Sequence, residues 1–94
     1  MTVQTLRNIS LDVQAVTTAG VGYTLNSKLV ELRLQARGGT IQVKLGAVGD
    51  TEYWALTSTV PQTFAIPDLA GATIYFDSGS NLDVEILQIL RDQA

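Results

Sequence analysis

Across residues 28–46, apolar and polar side chains alternate with a period of two on both sides of the dipeptide Gly38-Gly39. That period belongs to a strand with one face in a core and the other outside it; a helix repeats its faces every 3.6 residues and cannot satisfy it. Two adjacent glycines can both take the positive φ of a tight turn, so the stretch is expected to form a hairpin. Counting outward from the turn sets Ala36 opposite Ile41, Leu34 opposite Val43 and Leu32 opposite Leu45. On the other face Arg37 meets Thr40, Gln35 meets Gln42 and Arg33 meets Lys44. Apolar meets apolar throughout, so register, face and turn agree.

The same period runs through the rest of the chain. Ile9, Leu11, Val13 and Ala15 alternate with Ser10, Asp12, Gln14 and Val16, and residues 17–20 end that strand. Val21, Tyr23 and Leu25 form a short strand before a turn at Asn26-Ser27. Residues 46–50 are a loop with two glycines. Residues 51–58 then put Tyr53, Ala55 and Thr57 on one face and Glu52, Trp54, Leu56 and Ser58 on the other; alternation alone leaves the buried face open. Pro61 and Pro67 bracket residues 62–66, which places that strand at a sheet edge or between corners. Residues 73–77 are another short strand, followed by a tight loop at 78–81 with Gly79 expected at positive φ. The last strand, 82–90, is apolar on both faces in its second half, around Leu87 and Ile89, and must be covered on both sides. Residues 1–8 show no clear period and are expected to be an extended N-terminal arm or a first edge strand.

Seven to eight short strands with frequent turns, and no helical pattern longer than one turn, predict an all-β fold. It is expected to be an antiparallel β-sandwich, jelly-roll-like or another Greek key, forming a single domain over residues 1–94. A chain of 94 residues has one core and little more, and it contains no cysteine to staple it and no cysteine or histidine to hold zinc. Stability must come from apolar burial. Hydrophobic residues are 46% and charged residues only 16%, against the usual charged share of about 25%, so part of the exterior is expected to be covered by protein. Charge is also unevenly spread. Residues 1–46 hold five cations (Arg7, Lys28, Arg33, Arg37, Lys44) against Asp12 and Glu31, a balance of +3. Residues 47–94 hold Arg91 against seven acids, a balance of −6. Such polarity suits contact between unlike surfaces, either neighbouring copies or a larger scaffold, and the net charge of −3 argues against nucleic-acid binding. No apolar run approaches 18 residues and the first ten residues lack a signal-peptide pattern, so no membrane partner and no ordinary export are expected.

Enzymatic chemistry is cut down by missing groups. Without histidine or cysteine there is no Ser-His, Cys-His or thiolate system, and the carboxylate pairs Asp77/Asp83 and Asp50/Glu52 flank turns, where acids are ordinarily solvated. Residues 77–83 space oxygen side chains loosely as a calcium loop does, but the twelfth position is Gln88 rather than a bidentate glutamate. No enzyme activity, cofactor or metal is therefore expected. Trp54 with Tyr23, Tyr53 and Tyr75 could form a sugar-stacking platform, or fill a core or subunit interface. The like-charge pair Arg33/Lys44 calls for relief, either from Glu31 on the diagonal or from an acidic partner surface.

Val60-Pro61-Gln62-Thr63-Phe64-Ala65-Ile66-Pro67, then Gly71-Ala72-Thr73-Ile74-Tyr75-Phe76-Asp77-Ser78-Gly79-Ser80 and Val84-Glu85-Ile86-Leu87-Gln88-Ile89, resemble small all-β structural proteins of tailed bacteriophages. In those proteins a hydrophobe-Pro step leads to an aromatic strand, a Ser/Gly turn and a closing Val-x-Ile strand. The resemblance implies a virion accessory protein, such as a capsid decoration or cement protein. It would be made in the host cytoplasm, be homo-oligomeric with a trimer favoured, and be bound to the major capsid protein or another virion component. No catalytic residue carries over. The expected interface residues are Arg33, Arg37, Lys44, Trp54, Leu87 and Ile89. The alternative is a small carbohydrate-binding or fibre/receptor-binding β-sandwich module.

Overall fold

The computed structural model describes residues 3–6, 8–47, 49, 51–58, 61–64 and 69–91. Among them are nine strands: β1 (Val3–Leu6), β2 (Ile9–Val16), β3 (Val21–Thr24), β4 (Leu29–Arg37), β5 (Ile41–Lys44), β6 (Trp54–Leu56), β7 (Gln62–Phe64), β8 (Thr73–Asp77) and β9 (Leu82–Leu90). They form two antiparallel sheets, one of five strands in the order β1-β2-β9-β4-β7 and one of four in the order β3-β8-β5-β6. The expected all-β sandwich is what the chain forms. β1, in the segment expected to be an arm or edge strand, pairs with β2 at one edge of the larger sheet. β7, bracketed by prolines, is the opposite edge, where a missing N–H costs no ladder bond.

The sheets meet over a core of Leu32, Leu34 and Ala36 from β4, Val84 and Ile86 from β9, Ile41 and Val43 from β5, Leu56 from β6, and Ile74 and Phe76 from β8. Phe76 packs edge-on against Tyr23, with ring centroids 6.5 Å apart. Alternation thus predicts the inward faces of β4, β5, β8 and β9.

It does not predict the partners. The hairpin expected at Gly38-Gly39 is not formed, because β4 lies in the larger sheet between β9 and β7 while β5 lies in the smaller one between β8 and β6. Only Gly38 has positive φ, 82°, so the type I′ turn that needs two such residues is absent, and the glycines form a corner from one sheet to the other. A corner and a hairpin share one hydrophobic signature: in a hairpin the apolar faces of consecutive strands lie side by side on one sheet, and across a corner they face each other through the core. Of the eight connections, only β1–β2 and β5–β6 stay within a sheet; the other six cross. The 78–81 loop also crosses, from β8 to β9, and Gly79 is not among the glycines with positive φ.

Candidate functional site

On the larger sheet, backbone register fixes which side chains share the outer face. Leu11 pairs with Leu87, and Leu87 with Arg33; Ile9 pairs with Ile89, and Ile89 with Glu31. One row further on, Val13, Glu85 and Gln35 align, followed by Ala15, Asp83 and Arg37. A bulge between Leu29 and Glu31 leaves Val30 without a ladder partner and exposed. Ile9, Leu11, Val30, Leu87 and Ile89 consequently form an apolar strip on the outside of the sheet, with Ile9 and Leu11 39% and 40% exposed. It is bordered by two ion pairs, Arg33 Nε to Glu31 Oε2 at 3.0 Å and Arg37 Nε to Glu85 Oε2 at 2.6 Å. Both cations already have partners, Arg33 in Glu31 and Arg37 in Glu85, but the like-charge pair that Glu31 is expected to relieve is not formed. Arg33 and Lys44 do not face each other, because they stand in different sheets.

β2 turns its polar face inward. Ser10 is 9% and Asp12 1% exposed, whereas the apolar phase of the strand faces out. Tyr23 Oη donates to Asp12 Oδ2 at 2.6 Å, and Asp12 Oδ1, also buried, has no hydrogen-bond partner. Burial, then the bond to Asp12 and its negative charge, holds the Tyr23 proton well above the ordinary tyrosine range. Beside them Gln88 is buried, its Oε1 accepting from the Asn26 N–H at 2.8 Å. Every inward polar group on this strand costs desolvation, and every outward apolar group wastes burial. A strand placed this way makes sense physically when something else covers its outer side.

The other expected interface residues lie elsewhere. Lys44 is 6% exposed, with its Nζ 3.3 Å from Asp77 Oδ2, and so belongs to the interior rather than to an interface. β5 ends at Lys44, and Leu45, expected to continue the apolar face opposite Leu32, is 70% exposed instead. Trp54 sits in phase with buried Leu56, so the face of β6 left open by its alternation is the inward one. Trp54 itself stands where the smaller sheet runs out, at the mouth of a cavity of about 600 Å³ between the sheets. Leu32, Leu34, Val43 and Ile74 form the depth of that cavity, and Leu45, Tyr53 and Trp54 its rim. Tyr23 packs on Phe76, and Tyr75 lies against Gly22, so the four aromatics do not make one platform. The cavity was missed in the sequence because it depends on how two sheets splay. Residues 50, 59 and 60, and 65–68, with the Asp50 of one proposed carboxylate pair, lie outside the described residues.

No protein-family model matches the chain, and no curated protein matches it. Among solved structures, the Cupin_2 domain of an XRE-family transcriptional regulator from Enterobacter cloacae superposes with a TM-score of 0.65 over 90% of this chain and 84% of that one, at 14% identity. The fold resembles that of this Cupin_2 domain. At that identity the likeness concerns fold alone. A protein of unknown function from Vibrio parahaemolyticus gives a TM-score of 0.48 at 14% identity, covering 90% of this chain and 78% of that one. With no histidine or cysteine, any metal centre in this sandwich would need oxygen donors, and the described residues contain no cluster of three or more acidic side chains placed to supply them.

Proposed function

We propose that this protein is a non-enzymatic assembly module that packs the outer face of its five-stranded sheet against a second copy of itself, and serves as a virion accessory protein of the decoration or cement type. The observation that supports self-association is the inversion of β2, with Ser10 and Asp12 turned into the sandwich and Ile9 and Leu11 turned out beside Leu87 and Ile89. Completing the burial of a half-exposed Leu or Ile is worth about 1 kcal/mol each, so a strip of five is a reasonable centre for an interface. Arg33 and Arg37, paired with Glu31 and Glu85, would form its polar rim, where such pairs set orientation more than affinity. Trp54 and Lys44 stand outside this interface. The virion role is supported by the phage-like pattern of residues 60–89, and the fold does not choose among roles.

Sedimentation velocity tests the association: Leu11→Asp or Leu87→Asp should shift the unmodified protein's oligomer to monomer while leaving its circular dichroism unchanged. If both variants keep the oligomer, the interface lies elsewhere. The virion role requires that the gene lie in a tailed-phage genome or prophage, and is tested by mass spectrometry of purified particles of that phage. Absence from those particles removes that role and leaves self-association standing.

A further inference from the structure

We infer that the cavity at the open end of the sandwich binds a small molecule with an apolar body and a neutral or cationic polar end. This is independent of the outer sheet face: Leu32 and Leu34 line the cavity from the inner side of β4, while Arg33 between them points out toward Leu87. At about 600 Å³ the space falls within the roughly 300–1,000 Å³ of ordinary ligand pockets. Among the described lining residues its depth is aliphatic, from Leu32, Leu34, Val43 and Ile74. At the mouth, Tyr53 and Trp54 are each 53% exposed and stand beside exposed Leu45, which puts three large hydrophobes at one opening. Amphipathic aromatics at the entrance to an apolar hollow suit a ligand whose body goes in and whose polar end stays at the surface.

The choice of polar end follows from charge. Glu52 is the one charged side chain among the described lining residues, and Thr63 and Tyr53 add hydroxyls. An ammonium at the rim would meet the Glu52 carboxylate and two aromatic faces, all favourable to a cation, whereas a carboxylate there would have the Thr63 and Tyr53 hydroxyls as donors but would be repelled by Glu52 and by the aromatic faces. Saccharides fit poorly, because their hydroxyls would face the aliphatic depth without partners.

Trp54 is the only tryptophan in the chain and reports directly on the site. Decylamine, decanol and decanoate share one body and differ in the end, so titrating each at neutral pH below its micelle concentration separates the two parts of the claim. Saturable change in Trp54 emission is expected with decylamine and decanol, and decanoate should bind about tenfold more weakly or worse. Glu52→Gln should bring decylamine down toward decanol without altering decanol. Leu45→Glu, at an exposed position, should weaken decanol about tenfold while circular dichroism stays unchanged. No saturable response to any of the three probes overturns the inference. So does decanoate binding as tightly as decylamine, or a saturable response to cellohexaose or maltohexaose with none to the alkyl probes. Because association is read separately by sedimentation, a failure here is distinguishable from a failure of the proposed assembly.

Discussion

Asp12 bears the most exacting electrostatic position among the described residues: a buried carboxylate with one oxygen held by the Tyr23 hydroxyl at 2.6 Å and the other without a hydrogen-bond partner. Removing that single donor leaves a buried charged group unsatisfied. Tyr23→Phe is therefore expected to lose about 1.5–3 kcal/mol of stability in urea denaturation near neutral pH. The pH dependence follows from the raised affinity of Tyr23 for its proton. Above the ordinary tyrosine value of about 10 the unfolded chain gives up this proton while the folded chain keeps it, so stability is full below that pH and declines as pH rises further. Tyr23→Phe should remove that alkaline component, which paired denaturation curves on either side of pH 10 would show. Lys44 gives a second residue-level test. Being interior, Lys44→Met should move Tm and leave the oligomer unchanged; the reverse outcome would return Lys44 to the interface. Neither the Tyr23–Asp12 bond nor the Lys44–Asp77 pair was legible in sequence. Each joins residues on different strands or sheets, and a period of two says which face a side chain is on without saying what meets it.

At the level of the element, faces were legible and partners were not. Leu32, Leu34 and Ala36, and Ile41 and Val43, are buried as their alternation requires, yet they meet across the sandwich rather than along one sheet. Two apolar faces joined by Gly-Gly suit either arrangement, and β5 is kept out of the larger sheet because β9, paired with both β2 and β4, holds one edge of β4 and β7 holds part of the other. β2 shows the opposite failure, since its apolar phase is plain in sequence but faces out. The corner itself can be probed. Gly38→Ala should cost about 1 kcal/mol because φ is 82° there, whereas Gly79→Ala, with ordinary φ and nothing within 4 Å of an added Cβ, should change stability by less than about 0.5 kcal/mol. Equal effects at the two glycines in thermal denaturation would contradict the corner.

For the whole molecule, the same nine strands present an inward core, an open end that forms a cavity, and an outer sheet face whose centre is apolar. Low charge content and the doubly apolar Leu87–Ile89 segment pointed to a covered exterior from sequence, and the register shows where the unpaired apolar surface lies: along β2 and β9, flanked by the Arg33–Glu31 pair within β4 and the Arg37–Glu85 pair between β4 and β9. Trp54, grouped with that surface by residue type alone, belongs to the cavity. A monomer would leave Ile9, Leu11, Val30, Leu87 and Ile89 on one face in water, a strip that sheet-on-sheet packing between copies would remove. Light scattering of the unmodified chain across the micromolar range tests this most directly. A mass of two or more whole multiples of 10.1 kDa is the expected result, and 10.1 kDa at the highest concentration reached would contradict it.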